Sequence, residues 1–359
     1  MNFSIDADIA RAKTLDTRFY TDHNCFELSK EKIFANTWQF IGSTSIIQEP
    51  GQCYPFIFLK NFIDEPLLLT RNNTNEIYCL SNVCTHRGNI LIDESCKTRN
   101  LRCRYHGRLF NLDGTLHSMP EFKEVQNFPS PDDDLHQLEL FQWQQLLFTS
   151  LQPDFPANNF FADMLHRIDW MPLDEFVFRL ELSKEYVVNA HWALYCENYL
   201  EGFHIPFVHA DLNAIINYGE YTTELFRYSN LQTGVAKKNQ NCFDVPPTSH
   251  DYGKNIAAYY FWIFPNLMFN FYPWGLSINV VKPVSINKTK INFYNYVWKE
   301  ELRNTGAGND LDKVEMEDEE VVESVQRGIK SRFYHHGRYS VTREKGIHHF
   351  HRLISDFMN

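Results

Sequence analysis

Residues 84–106 read CTHRGNILIDESCKTRNLRCRYH, with Cys84-x-His86 on one arm and Cys103-x-x-His106 on the other, sixteen residues apart. Each arm offers one thiolate and one imidazole. Two thiolates can hold one iron of a 2Fe–2S cluster while two neutral imidazoles hold the other, and the exchange of thiolate for imidazole raises the potential. The backbone must turn tightly around the sulfides. Gly88 and Gly107, each just past a ligand histidine, meet that need. A structural zinc site is the competing reading of two Cys and two His. Zinc fingers, however, usually keep the cysteines on one arm and the histidines on the other, which is not the pattern here. Arg87 and Tyr105 either orient the ligands and tune the potential or serve as ordinary packing and surface residues.

Outward from this stretch, short β segments are expected on both sides: QCYPFIFL, PLLLTR, EIYCLSNV and GRLFNLDGTL, with Asp113-Gly114 as a hairpin turn. LFQWQQLLFTSLQP, residues 140–153, reads as a closing strand, and MPEFKEVQNFP, residues 119–129, as a loop that covers the cluster or simply lies on the surface. Residues 1–37 read as a helical lead-in, where Ser29 can cap a helix carrying Ile33, Phe34 and Trp38. Beyond Pro156, NNFFADMLHRIDWM predicts a helix and FVFRLELSKEYVVNAHW a strand. The aromatic-rich segments from Tyr259 to Leu302 predict antiparallel strands. DLDKVEMEDEEVVESVQRGIKSRFY predicts a helix with Val314, Val321, Val322 and Val325 on its apolar face.

Composition bounds the function. The 359 residues suit two domains, or one large domain with an insertion. A net charge of −11 argues against nucleic acid and against an anionic membrane surface. No apolar run approaches the roughly 18 residues of a membrane span, and MNFSIDADIARAK is not a signal peptide. Cys25, Cys53, Cys79, Cys96, Cys196 and Cys242 are scattered without a frame, which reads as reduced core thiols in a cytoplasmic protein.

Glu201-x-x-His204-x-x-x-x-His209 is the second constellation. On an ideal helix the two histidines would stand about 140° apart, so Pro206 is expected to break the helix and let His209 swing back. Two imidazoles and one carboxylate make the facial triad of non-haem Fe(II) enzymes, with positions left open for O2 and substrate. The spacing alone is weak, but a cluster upstream needs somewhere to send its electron.

With both constellations in hand, the chain resembles the catalytic α subunit of Rieske non-haem iron oxygenases. Their patterns are C-x-H-R-G, C-x-x-H-G and N-x-x-E-x-x-H-x-x-x-x-H. The resemblance implies an α+β fold, a small all-β Rieske 2Fe–2S domain inserted in a catalytic helix-grip domain on an antiparallel sheet. It divides the chain into residues 1–37 (lead-in of the catalytic domain), 38–153 (Rieske domain) and 154–359 (mononuclear iron domain). It also implies a third iron ligand in the acidic helix before Gln326-Arg327-Gly328, where Asp318 is the matching position and Glu317 its neighbour and runner-up. Glu315, Glu319, Glu320 and Glu323 are expected on a solvated face. Glu201 would bridge the iron site to the cluster of a neighbouring subunit, which implies a homotrimer or stacked trimers. The look is closest to members that oxidise quaternary ammonium compounds of the glycine-betaine, choline and carnitine type.

Candidate pocket walls are Tyr195, Phe203, Trp262, Phe264, Phe271, Tyr272 and Trp274. Aromatic faces would hold a methylated ammonium at about 0.5–2 kcal/mol per contact, and would equally hold an arene. His335, His336, His348, His349 and His351 are assigned structural or surface roles. The leading expectation is an oxygenase fed from NAD(P)H through a separate reductase or ferredoxin, since no G-x-G-x-x-G occurs. Hydroxylation of an N-methyl carbon would release formaldehyde. An aromatic-ring dioxygenase is the alternative. An electron carrier and a zinc-stabilised binding module are the competing classes; carriers are only about one Rieske domain long and have no need of His204, His209 and Asp318.

Overall fold

A computed structural model describes residues 3–303, 305–309 and 311–359. The chain divides into two compact units, Ala35–Pro153 and the pair of segments Met1–Phe34 with Asp154–Asn359. No helix among the described residues is long and apolar enough to cross a membrane.

The Ala35–Pro153 unit is made of short strands in three sheets, of three, five and three strands. Gln52–Phe58, Glu65–Arg71 and Ile77–Ser81 form the centre of the largest. Its core gathers Leu68, Leu80, Leu101 and Phe110 around Cys84 and Cys103, so the thiols rest on packed side chains. The Asp113-Gly114 turn closes the Leu109–Phe110 and Leu116–Ser118 strands, with Gly114 at φ +89° and Asn111 N–H on Thr115 O at 2.9 Å. Residues 140–153 are not one strand. Leu140–Trp143 and Leu146–Thr149 form a hairpin that turns at Gln144, φ +50°. The apolar run hides the turn because both strands are apolar. Residues 119–129 carry no strand or helix.

In the second unit the lead-in is helical, but Ser29 does not start its helix. Asp22 caps His23–Ser29 by accepting Asn24 N–H at 2.7 Å, and Ser29 ends it, bonding back to Phe26 O at 2.6 Å. Residues 177–188 likewise split into β1 (Val177–Phe178) and β2 (Lys184–Val188) around a 3-10 turn at Leu180–Leu182. These strands join β3 (Thr222–Leu225), β4 (Ser229–Val235), β5 (Ile256–Ile263), β6 (Leu267–Tyr272), β7 (Gly275–Ser285) and β8 (Lys288–Val297). The antiparallel sheet runs β1–β8–β7–β6–β5–β4–β3, with β2 also paired to β8.

Three helices matter for the site: α1 (Trp192–Tyr199), α2 (Leu311–Gly328) and α3 (Lys345–Met358). α3 packs its apolar side inward, with Phe350 edge-on to Trp192 and Trp262 at 5.8 and 5.1 Å between ring centroids. α2 does not bury the expected valine stripe. Val322 is buried but Val325 is 43% exposed, while Glu315 and Gln326 are buried. The helix therefore turns a partly polar side inward, a pattern that hydrophobic spacing cannot report. Cys96 is exposed and Cys242 half-buried, so these two are not core thiols.

Candidate active site

The two arms of residues 84–107 are built alike. Cys84 N–H bonds Asn89 O at 2.9 Å and Gly88 N–H bonds Cys84 O at 3.0 Å; Cys103 N–H bonds Arg108 O at 2.8 Å and Gly107 N–H bonds Cys103 O at 3.0 Å. Each glycine stands four residues after its cysteine at positive φ, +69° and +77°, the conformation a side chain resists. The ends of the arms meet pairwise. Burial raises the pKa of the Cys84 thiol, and the neighbouring Cys103 thiol raises it further, while the His86 and His106 rings lie 4.7 Å apart. Among the described residues, the one group of three or more His, Cys, Asp or Glu side chains whose ligand atoms all lie within 4.8 Å of one another is another one, described below. These four therefore do not converge as one zinc ion would require. Two sulfurs at one end and two nitrogens at the other fit a cluster of two irons.

Around the arms, Phe122 of the 119–129 loop sets its ring edge-on to His86 at 5.5 Å, and Tyr105 covers His106 at 3.7 Å. Tyr105 itself is 62% exposed and Arg87 is exposed. Arg108, absent from the sequence-based site, is 2% exposed, bonds Asp133 Oδ1 at 2.7 Å and stacks on Phe110 and Phe128.

The second site forms where α1 ends. After Leu200 the chain leaves the helix, and Glu201 folds back over a turn: Oε2 accepts N–H from Phe203 and His204, and Oε1 lies 2.6 Å from His204 Nδ1. The pair is not on one helix face; the turn brings it together. Gly202 is required there, because a Cβ would stand 2.6 Å from the Tyr221 ring. Pro206 does not break a helix either. It opens the short Ile205–Val208 helix, where a missing N–H costs nothing. The bend falls at His209, φ −107° and ψ 77°, which ends that helix and precedes the next.

The bend brings His204 Nε2 within 3.1 Å of His209 Nε2. Asp318 Oδ1 from α2 lies 3.0 Å from His209 Nε2 and 3.6 Å from His204 Nε2. Asn198 Nδ2 on α1 donates to the same oxygen at 2.6 Å. Glu317 stands elsewhere: its Oε2 is 2.7 Å from His209 Nδ1, behind the ring. Burial lowers the pKa of His209, but the Asp318 and Glu317 carboxylates outweigh it and leave the group raised. Three donors that close within 4.8 Å, two neutral nitrogens and one oxygen, suit a divalent iron with open positions.

His204, His209 and Asp318 border a cavity. Of the expected walls, Tyr195 and Tyr272 line it. Phe203 is 41% exposed on the surface. Trp262 and Phe264 pack under α3 against Phe350. Phe271 points to the opposite face of the sheet from Asn270 and Tyr272, which line the cavity, and Trp274 stacks on the far side of Tyr272 at 5.4 Å. Strand alternation sets Phe271 apart from the lining residues, whereas Trp262 shares a sheet face with Tyr260 and is separated from the cavity by its position along the strand, under α3.

Tyr199, Tyr221, Tyr260 and Asn270 line the cavity as well, and sequence reading missed them. Tyr260 is two residues before Trp262, so the alternation of β5 was the available signal. Glu315 is not on a solvated face: it is 3% exposed and accepts the Tyr195 hydroxyl at 2.5 Å. Its place three residues before Asp318, on the same helical side, carried that information. Glu323 bonds the Asn189 N–H at 2.9 Å. The C-terminal histidines divide between packed and surface positions. His351 Nδ1 meets Tyr339 Oη at 2.6 Å, His348 Nε2 bonds Asp6 O at 2.8 Å, burial lowers the pKa of His349 to about 4, and His335 and His336 are exposed.

Comparison with known proteins bears on the family and the fold. Residues 37–129 match the Rieske [2Fe-2S] domain and residues 178–359 the ring hydroxylating alpha subunit catalytic domain. The chain is 30% identical to the carnitine monooxygenase oxygenase subunit of Escherichia coli (strain K12), over 97% of this chain and 95% of that one. It is 27% identical to the chloroplastic choline monooxygenase of Arabidopsis thaliana, over 96% and 83%. The structure of a quaternary ammonium Rieske monooxygenase shares the fold at a TM-score of 0.77 and 23% identity, covering 99% and 100% of the two chains. Twin cluster arms, a two-histidine, one-carboxylate site and matches across both units together place the chain in the Rieske non-haem iron oxygenase family, as a ring-hydroxylating-type α subunit.

Proposed function

We propose that this α subunit hydroxylates a small quaternary ammonium compound at a carbon beside the nitrogen. One atom of O2 enters the C–H bond and the other leaves as water, with two electrons and two protons supplied. Where the carbon is an N-methyl, the product is a hemiaminal that releases formaldehyde. As a family member the chain takes its electrons from a separate reductase. The observation that carries the substrate class is a tyrosine-lined, acidic cavity that opens on His204, His209 and Asp318.

Cys84, His86, Cys103 and His106 would hold the cluster, and His204, His209 and Asp318 the iron. When bound, the cluster supplies single electrons and the iron supplies O2 activation. The remaining work belongs to the protein. Glu201 and Glu317 each hold the Nδ1 of one ligand histidine and leave both Nε2 atoms directed at the site. Asn198 steadies Asp318, and the aromatic walls exclude water.

We assign Glu201 the bridging role between one copy's iron site and a neighbour's cluster in a homotrimer. Beside it, Phe203 and Phe207 are 41% and 80% exposed with their rings 6.3 Å apart, an apolar pair that suits burial by a second copy. We place the enzyme in the cytoplasm with its reductase. Oxygen uptake and formaldehyde release by the reduced, reconstituted enzyme, with choline, betaines, carnitine and aromatic acids, test the reading. Uptake with an aromatic acid and none with any ammonium compound would replace it with arene oxygenation.

A further inference from the structure

The cavity contains one acid that the ligand set and Glu201 leave unexplained. Glu315 is 3% exposed; its Oε2 accepts Tyr195 Oη at 2.5 Å, and its Oε1 is buried with no hydrogen-bond partner. An unpaired buried carboxylate oxygen is costly and calls for a partner.

The surroundings say which kind. Tyr199 donates its hydroxyl to Asn270 Oδ1 at 2.9 Å, and Tyr221 donates to Gln232 Oε1 at 3.2 Å. With their protons committed to amides, both phenols offer lone pairs and ring faces rather than donors. Tyr260 and Tyr272 add two rings edge-on at 5.9 Å. Glu201, Glu315 and Asp318 border the cavity, and no lysine or arginine among the described residues does.

We infer that Glu315 is the specificity-determining residue of this cavity, and that it selects cations without a carboxylate by holding their positive nitrogen against its unpartnered oxygen. The inference rests on the oxygenase reading above and narrows its substrate. Glu315 and Asp318 are three apart on α2, which sets their Cβ atoms about 5–6 Å from each other. A nitrogen held by Glu315 therefore presents its own substituents to the iron ligands. Burial, reinforced by the Asp318 charge, pushes the Glu315 pKa up to about 8 even against the Tyr195 bond, and a cation supplies the missing counter-charge. A zwitterion such as carnitine would bring a second negative group into a cavity with no basic side chain to receive it.

Calorimetric titration of the full chain, loaded with both metals and kept anaerobic, tests this with choline, L-carnitine and the uncharged isostere 3,3-dimethylbutanol. Choline is expected to bind at least about tenfold tighter than either of the others. Glu315→Gln should remove that advantage while affinity for 3,3-dimethylbutanol stays within about twofold, and Glu315→Asp should retain the preference. Equal affinity of the wild type for choline and carnitine, no binding of choline, or an undiminished preference in Glu315→Gln overturns the inference. The wild-type series decides the matter even where a variant misfolds. Calorimetry needs no turnover, so the charge order is read separately from the oxygenase reading, which fails only if no compound of any charge stimulates oxygen uptake.

Discussion

Glu317 and Asp318, adjacent in sequence, grip opposite nitrogens of one imidazole. Glu317 Oε2 lies 2.7 Å from Nδ1 of His209 and Asp318 Oδ1 lies 3.0 Å from Nε2. The ring is held between them, so the two carboxylates cannot exchange roles without rotating His209.

That arrangement separates two variants. Asp318→Ala should abolish mononuclear iron occupancy and turnover while the Rieske spectrum persists. Glu317→Gln should retain iron with affinity lowered by about 10–100-fold, as expected for a residue that orients a ligand. Iron analysis against acid-labile sulfide measures both. Loss of iron in Glu317→Gln with full occupancy in Asp318→Ala would reverse the assignment.

Gly88 isolates backbone conformation from space, since a Cβ there would meet nothing within 4 Å. Gly88→Ala should cost about 1–2 kcal/mol through its positive φ alone, lowering sulfide content and cluster absorbance. Gly88→Asn, which tolerates that region better, should recover part of the loss. Equal, full cluster content in Gly88→Ala and the wild type would show that the arm does not need the left-handed turn.

Glu201→Gln should keep both metals and slow electron transfer, because an amide cannot offer the same charge to the His204 Nδ1–H. Mixed with His106→Ala, it should form trimers in which an intact cluster on one chain faces an intact Glu201 and iron on the next, and activity should partly return. Mixed trimers that assemble and stay inactive would place electron transfer within one chain.

Asp251 sets an acid limit on stability. It is fully buried, and although burial alone would raise its pKa, bonds from Lys254 and Arg167, both at 2.7 Å, hold it down at about 2. A folded pKa below the ordinary 3.8 means that its contribution is present above pH 3.8 and is lost as pH falls toward 2. Asp251→Asn should destabilise by about 3 kcal/mol at pH 7. In urea unfolding at pH 7, 5 and 3, roughly, the gap from wild type should narrow as the acid is protonated; a gap that widens toward low pH contradicts the pairing.

The sequence by itself named the candidate donors of both sites. Cys84-x-His86 and Cys103-x-x-His106 are local motifs whose spacing already states the donor set, and His204 and His209 lie five residues apart. Side chains that close in sequence are constrained by the backbone between them, so their grouping is legible without a fold. Asp318 and Glu317 were named together, but only the position of α2 against α1 decided which one reaches the histidines' Nε2 atoms. The cavity was the least legible part. Trp262 and Tyr260 lie two residues apart on one strand, and α3 covers the first while the cavity takes the second. Glu315, in a run of acids, looked like solvated surface and became the buried one, because which helical face turns inward is set by packing against α1 and not by charge. Local covalent spacing makes the paired Cys and His donors legible in the sequence; the cavity is made of residues far apart in the chain, and only tertiary packing brings them to one wall.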